Sequence, residues 1–242
     1  MTKLSKIWKA VLDIVFPPLC LNCRAYLAQA NEKVICDLCL NKIAVNKTLF
    51  RPEANFILGA AADYGDKLVQ TLIHVFKYQF LMAASEPLGE ILGRYLKISS
   101  LGDFLSRNRD NCLILPIPLH PLREKRRGFN QAELLAREIS LRFNLPMETK
   151  LLARIKKTRE QAKLKNNKER LGNLKGVFKI INPRIRLKEK IIILVDDVYT
   201  SGSTMGEARR TLKRAGAHRV LGLVVARASD NRFDPRSSSR DS

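Results

Sequence analysis

Two carboxylates followed by a run of hydroxyls form the densest chemical cluster in the chain: Asp196-Asp197, then Thr200-Ser201-Gly202-Ser203-Thr204. A sugar that bears a phosphate needs acceptors for its hydroxyls and donors for its phosphate, and both sets occur here within ten residues. A hydroxyl-rich turn around glycine that opens a helix is a ready anion site, because its backbone N–H groups and the helix dipole favour negative charge. A nucleotide-triphosphate loop is excluded, since no lysine follows Gly202 where GxxxxGK[ST] requires one. A phosphoacceptor receiver domain is excluded too. Its acidic pair stands near the start of a doubly wound sheet, whereas only 45 residues follow Asp197 here.

A second anion site is marked by Arg123, Lys125, Arg126 and Arg127, four cations within five residues, followed by Gly128 and by Asn130, which can cap a helix. The segment comes just after the apolar run Leu113–Leu119. Ligands of open α/β sheets gather at the C-terminal ends of such strands.

Cys20, Cys23, Cys36 and Cys39 form CxxC, a twelve-residue spacer and a second CxxC. Two thiolate knuckles at that spacing supply the four ligands of a tetrahedral zinc site, and a set made wholly of thiols leaves no open position for water, so the metal is structural. Two disulfides or a redox CxxC are the other readings of such cysteines. A fifth cysteine, Cys112, lies inside Cys112-Leu113-Ile114-Leu115 and reads as core filler.

These groups need elements to hold them. Ile191–Val195 is an unbroken apolar run of the kind buried on both faces of a parallel sheet, ending on the acidic pair. The helical pattern Met205–Ala215 follows, with Gly216 as its stop. Further strands are expected at Ile57–Ala61, Leu113–Leu119, Val177–Ile180 and Val220–Ala226, and helices at Leu68–Phe76, Leu81–Leu96 and Asn130–Phe143. Ser99–Asn111 reads as a linker and Asn182–Lys190 as a turn. Pro116 and Pro118 mark a strand end and a rigid turn. His74, among apolar neighbours beside Lys77 and Tyr78, reads as a structural histidine. Arg154–Arg170 is rich in Lys and Arg and poor in apolar residues; it is expected to be a loop that can close over a polyphosphate.

At the N-terminus Leu4, Ile7, Trp8, Val11, Leu12 and Val15 make an apolar stripe that Pro17 and Pro18 stop. Asp13 interrupts the run and no small-residue cleavage site follows, which argues against a signal peptide. No stretch approaches the roughly 20 apolar residues of a spanning helix. A cytoplasmic protein with reduced thiols is expected. Of 242 residues, 45% are hydrophobic, enough for a packed core. The net charge of +21, from 44 Lys and Arg against 23 Asp and Glu, points to a polyanionic partner, either nucleic acid or a phosphorylated substrate.

The Val195–Thr204 segment resembles the phosphoribosyl-pyrophosphate loop of the type I phosphoribosyltransferases: an apolar strand, two acids, then a Thr/Ser-rich turn around glycine. Across nearly the whole chain the sequence resembles the ComF family (ComFC and GntX-like proteins). The marks are the four cysteines, Tyr64-Gly65 with Leu72-Ile73-His74 and Phe76-Lys77-Tyr78, Pro116-Ile117-Pro118, and Arg127-Gly128-Phe129-Asn130-Gln131. Arg154, Thr158, Gln161, Leu164, Arg170, Asn173, Phe178 and the acidic loop complete them.

The resemblance implies an α/β fold of the type I phosphoribosyltransferase class, with a central, mostly parallel twisted sheet flanked by helices. A small N-terminal zinc-finger module with four cysteine ligands, similar to a double zinc ribbon, would precede it. Residues 1–50 would form the N-terminal helix and zinc module, 51–228 the α/β domain and 229–242 a disordered tail. It further implies binding of 5-phosphoribosyl 1-pyrophosphate with Mg2+ and displacement of its pyrophosphate. Asp196 and Asp197 would hold the ribose hydroxyls, Thr200, Ser201, Gly202, Ser203 and Thr204 the 5′-phosphate, and Arg123, Arg126, Arg127 and Gly128 the diphosphate. Lys125, Lys156, Lys157 and Arg159 would add charge there. No residue marks a base pocket, which leaves the acceptor open. Members of the family are associated with uptake of transforming DNA. Two non-enzymatic readings therefore stand beside the transferase: a module that binds single-stranded DNA, with Phe129, Tyr78 or Tyr199 as stacking faces, and a scaffold that docks other uptake proteins through its zinc knuckle.

Overall fold

The computed structural model describes residues 17–27, 33–79, 81–156, 176–182 and 185–228. The amphipathic stripe before Pro17, most of the basic segment after Arg154 and the tail after Ala228 lie outside the described residues. A five-stranded sheet is the frame, in the order β1-β2-β7-β6-β3: β1 (Leu49–Glu53), β2 (Phe56–Asp63), β7 (Arg219–Arg227), β6 (Ile191–Tyr199) and β3 (Cys112–Pro116). β2, β7, β6 and β3 run parallel, and β1 adds an antiparallel edge.

One face of the sheet is covered by α2 (Lys67–Tyr78), α3 (Ser85–Ile98) and α6 (Gln131–Phe143). The other carries α7 (Ser203–Arg214) and a separate two-stranded antiparallel sheet, β4 (Leu152–Arg154) with β5 (Phe178–Ile180). Ile191, Ile193 and Val195 enter the first core, and Ile192 and Leu194 the second. That two-sided burial is why β6 is apolar without alternation.

Three stretches differ from the sequence reading. Ser99–Asn111 is not a linker: it contains α4 (Ser100–Arg107) and a 3-10 turn, Arg109–Asn111. Leu101 and Leu105, one helical turn apart, are buried there among polar neighbours that mask the pattern. Cations 123–127 belong to a short helix, α5 (Pro121–Arg127), with His120 as its cap through Leu122 N–H and Gly128 closing it at φ +80°. β6 does not stop at Val195 but runs on through both acids to Tyr199, because β7 supplies partners as far as Arg227.

The cysteine module is α1 (Asp37–Asn41) with the loops around it. Leu27, Val34, Ile35, Leu40 and Ile43 are buried in the same core as Leu88, Leu92 and Tyr95 of α3. Arg94 donates to the Leu40 and Ile43 carbonyls at 3.0 and 2.9 Å, and the Tyr95 hydroxyl donates to the Thr48 carbonyl at 3.2 Å. Among the described residues no helix is long and apolar enough to cross a membrane.

Candidate functional site

The C-terminal ends of two neighbouring parallel strands, β3 and β6, define the site. Pro116 is in register with Val195, and Ile117 N–H donates to the Val195 carbonyl at 2.9 Å. The segment leading to α5 and the segment leading to α7 therefore leave the sheet side by side. Asn130 caps α6 by accepting from Ala132 N–H at 3.1 Å, and its amide donates to the Ile117 carbonyl at 3.2 Å. This cap fixes the loop Gly128–Asn130 against the end of β3.

After Tyr199 the chain turns over Gly202 at φ +70° and enters α7 at Ser203. Ser201 and Ser203 share a hydroxyl hydrogen bond at 2.9 Å. Asp196, Val198, Tyr199, Thr200, Gly202, Thr204 and Met205 line an open concavity of about 250 Å3, counting the space continuous with solvent. The concavity thus holds a carboxylate on one side and hydroxyls with a helix N-terminus on the other, the complement of a polyol phosphate.

The two acids are handled differently, as neighbours on a strand pointing to opposite faces. Asp196 lines the concavity and its Oδ1 accepts from Asp197 N–H at 2.9 Å. Burial, followed by the charge of Asp197, pushes its carboxyl up to about 7, against the opposing pull of Lys77 and Arg154. Asp197 is 6% exposed and its Oδ1 meets Lys77 Nζ at 2.8 Å. Burial lowers the Lys77 ammonium, but the charge and hydrogen bond of Asp197 outweigh it and raise the group overall.

Lys77 and Arg154 act on this pair, and the cations of α5 follow the neighbouring strand end. Arg127 donates to Gln131 Oε1 at 2.8 Å and its guanidinium lies 5.8 Å from the Tyr78 ring centre. Arg123 and Arg127 are partly exposed, and Lys125, Arg126 and Gly128 are exposed. Arg154, 7% exposed and 5.7 Å from the Phe178 ring, senses both sites. Burial, then Arg123, lower it to about 10 while Asp196 opposes them, so it remains charged at neutral pH. Lys156 is described, whereas Lys157 and Arg159 lie outside the described residues.

Lys77 as the partner of Asp197 escapes the sequence reading. The available signal is a cation closing a helix whose Leu72, Ile73, Val75 and Phe76 are all buried. His74 is exposed, not enclosed, with its ring 5.0 Å from Tyr78. Glu207, buried at 2%, is also unmarked in the sequence; it accepts from Gly176 N–H at 2.8 Å and from Arg210 Nε at 3.0 Å, tying the β5 approach to α7. Cys112 is fully buried, and burial raises its thiol to about 11, as core filler should behave.

Sγ atoms of Cys20, Cys23, Cys36 and Cys39 all lie within 4.8 Å of one another, and those of Cys23 and Cys36 are 3.7 Å apart. Tetrahedral zinc with bonds of about 2.3 Å needs sulfurs about 3.8 Å apart. The donors fit. Cys36 N–H donates to Cys20 Sγ at 3.4 Å and Asn22 Nδ2 to Cys39 Sγ at 3.2 Å. Burial raises the Cys20 thiol, but backbone N–H groups of Cys36, Cys23 and Asn22 outweigh it and bring it down to about 6. The cluster can hold a zinc ion.

The phosphoribosyl transferase domain family matches residues 125–240. Competence protein F of Haemophilus influenzae is 36% identical over 115 residues, 48% of this chain and 50% of that protein. The chain thus spans half the length of that relative. DNA utilization protein YhgH of Salmonella typhimurium is 30% identical over 207 residues, 84% of this chain and 81% of that protein. A crystal structure of a purine phosphoribosyltransferase from Pyrococcus horikoshii Ot3 aligns with 57% of this chain and 82% of its own, at 15% identity and a TM-score of 0.32. With near full-length similarity to YhgH, a phosphoribosyl transferase match over the acidic loop and a mostly parallel sheet behind an N-terminal four-cysteine cluster, the chain belongs to the ComF family of phosphoribosyltransferase-fold proteins.

Proposed function

We propose that the protein binds 5-phosphoribosyl 1-pyrophosphate with Mg2+ and transfers the phosphoribosyl group to an acceptor, within a pathway of DNA uptake or use. The observation that carries this reading is the shared concavity of Asp196 with Thr200, Gly202 and Thr204 at the start of α7. A 5′-phosphate seats on the hydroxyls and N–H groups of that turn, and the ribose hydroxyls donate to the acids. In the reaction the acceptor attacks ribose C1 and the C1–O bond breaks, its electron pair leaving with the diphosphate. In this reading Arg123, Arg126 and Arg127 of α5, with Gly128, would take the negative charge that develops on the leaving group. Mg2+, which prefers oxygen ligands and retains waters, would supply counter-charge to the diphosphate when bound.

Calorimetry with phosphoribosyl pyrophosphate and Mg2+ tests the proposal. Wild type is expected to bind, and Asp196→Asn to bind ten- to a hundredfold more weakly, as removal of a charged hydrogen-bond acceptor costs about 1.5–3 kcal/mol. No binding by wild type removes the transferase reading. The same titration carries a proton signature. The Asp196 carboxyl is raised from 3.8 to about 7, while ribose hydroxyls would favour its ionised form. Binding below pH 7 should therefore release a proton, and affinity should climb with pH until the carboxyl is ionised. Titrations in buffers of different ionisation enthalpy read that release, which Asp196→Asn should abolish. For stability the sign is opposite: the folded chain holds this proton more tightly than the unfolded one, so the contribution is full below pH 3.8 and is lost as pH rises through about 7.

The net charge of +21 and the names of the relatives favour a second reading, a binding module for single-stranded DNA. In that case affinity for an oligothymidylate should fall steeply with salt, with a log–log slope of about −0.7 per phosphate neutralised. It should also be indifferent to Asp197→Asn. A flat salt dependence, measured by fluorescence anisotropy, would exclude a phosphate-tracking mode.

A further inference from the structure

We infer that the last turn of α2 is a wall of the ribose-phosphate site, in which Lys77 is a positioning residue that fixes Asp197 and Tyr78 braces Arg127. This rests on the reading that the site takes phosphoribosyl pyrophosphate. Lys77 Nζ lies 2.8 Å from Asp197 Oδ1, with side chains 21% and 9% exposed. A charge so poorly hydrated is tolerated only when paired, and removing one partner strands the other. By holding Oδ1, the ammonium fixes the Asp197 carboxylate in one orientation at the end of β6, next to Asp196, which lines the concavity.

The residues on either side reach the other half of the site. Phe76 packs on Phe129 with ring centres 5.5 Å apart, and Tyr78 carries the Arg127 guanidinium 5.8 Å from its ring centre. Three consecutive side chains of one helical turn therefore touch the acidic strand and the loop that closes the basic helix. Phe76 anchors α2 together with Leu72, Ile73 and Val75, whereas the exposed Tyr78 does not, so the place of Tyr78 beside Arg127 is not set by burial of the helix. The turn thus links the group that orients ribose to the basic helix, through the buried Phe76–Phe129 contact and through Tyr78, which is 52% exposed beside Arg127.

The test is calorimetry of two probes, phosphoribosyl pyrophosphate and inorganic pyrophosphate, each with Mg2+, on the full chain. Lys77→Met is expected to weaken phosphoribosyl pyrophosphate on the order of tenfold and to leave pyrophosphate unchanged, since pyrophosphate has no ribose. Lys77→Arg should recover most of the loss, and Tyr78→Ala should weaken both probes. Lys77→Met with Asp197→Asn should bind no worse than Asp197→Asn alone; this neutral pair also keeps the comparison available if Lys77→Met does not fold. Wild-type affinity in Lys77→Met, or equal loss of both probes, overturns the inference while the transferase reading stands. A wild type that binds no phosphoribosyl pyrophosphate overturns both.

Discussion

Gly202→Ala is expected to cost about 2–3 kcal/mol, divided between the loop and its ligand. Two independent strains add. Gly202 sits at φ +70°, where a residue with a Cβ pays about 1–2 kcal/mol. The new methyl would also fall on the Tyr199 hydroxyl and stand 2.5 Å from its Cζ. Tyr199 is partly buried against the second core, so it must leave its rotamer at a cost of about 0.5–1.5 kcal/mol. If the turn keeps its shape, the cost appears as a melting temperature lowered by about 5–10 °C. If it relaxes, Thr200 and Thr204 no longer face the same phosphate and the cost appears as affinity for phosphoribosyl pyrophosphate, about 30- to 150-fold. Melting and calorimetry on one sample therefore account for the whole. Tyr199→Ala in the same chain should return the steric part and leave the backbone part. A variant with unchanged melting and unchanged affinity would mean that the turn is neither strained nor used.

How far the site can be read from the residues depends on how local each contact is. The acidic loop is legible because strand, acids, hydroxyls and helix follow one another, so that Ile191–Thr204 encodes its own geometry. The basic helix is half legible: its cations and Gly128 are plain, but the helix itself hides behind Pro121 and a histidine cap that few sequence rules anticipate. Lys77 is not legible, because nothing near Asp197 in the chain announces a partner that distant in sequence. β1 escapes for another reason. It is a short edge strand with Pro52 inside and three exposed residues, and prolines are admitted there because an edge N–H needs no ladder partner. α4 escapes because two buried leucines in eight residues are too few to set a period. The strongly periodic and fully apolar elements emerge nearly complete, whereas short elements with few buried residues do not.

Removing metal from the cysteine cluster is expected to destabilise the α/β domain as well as the cluster itself. A structural zinc site usually stabilises its own loops, and in small domains its binding free energy is folding free energy. Here those loops are part of a larger core. Leu27, Val34, Ile35, Leu40 and Ile43 are buried with α3, and each such side chain contributes about 1.5–3 kcal/mol when fully buried. Arg94 would lose its carbonyl acceptors at Leu40 and Ile43, leaving a partly buried guanidinium without them. Asn46, which donates through N–H and amide to the Ala61 and Ala60 carbonyls, ties the same segment to β2, two strands from the acids. A loss of about 5 kcal/mol would lower the melting temperature by about 10–20 °C. Differential scanning calorimetry with and without a strong chelator reads this, and Cys39→Ser should reproduce it because Cys39 is a buried ligand that also accepts from Asn22. Re-addition of zinc should restore the wild type and not the variant. If chelation left the main transition in place and melted only a small separate one, the cysteine module would be an independent unit, and its contacts with α3 would be ornament to a domain that stands without them.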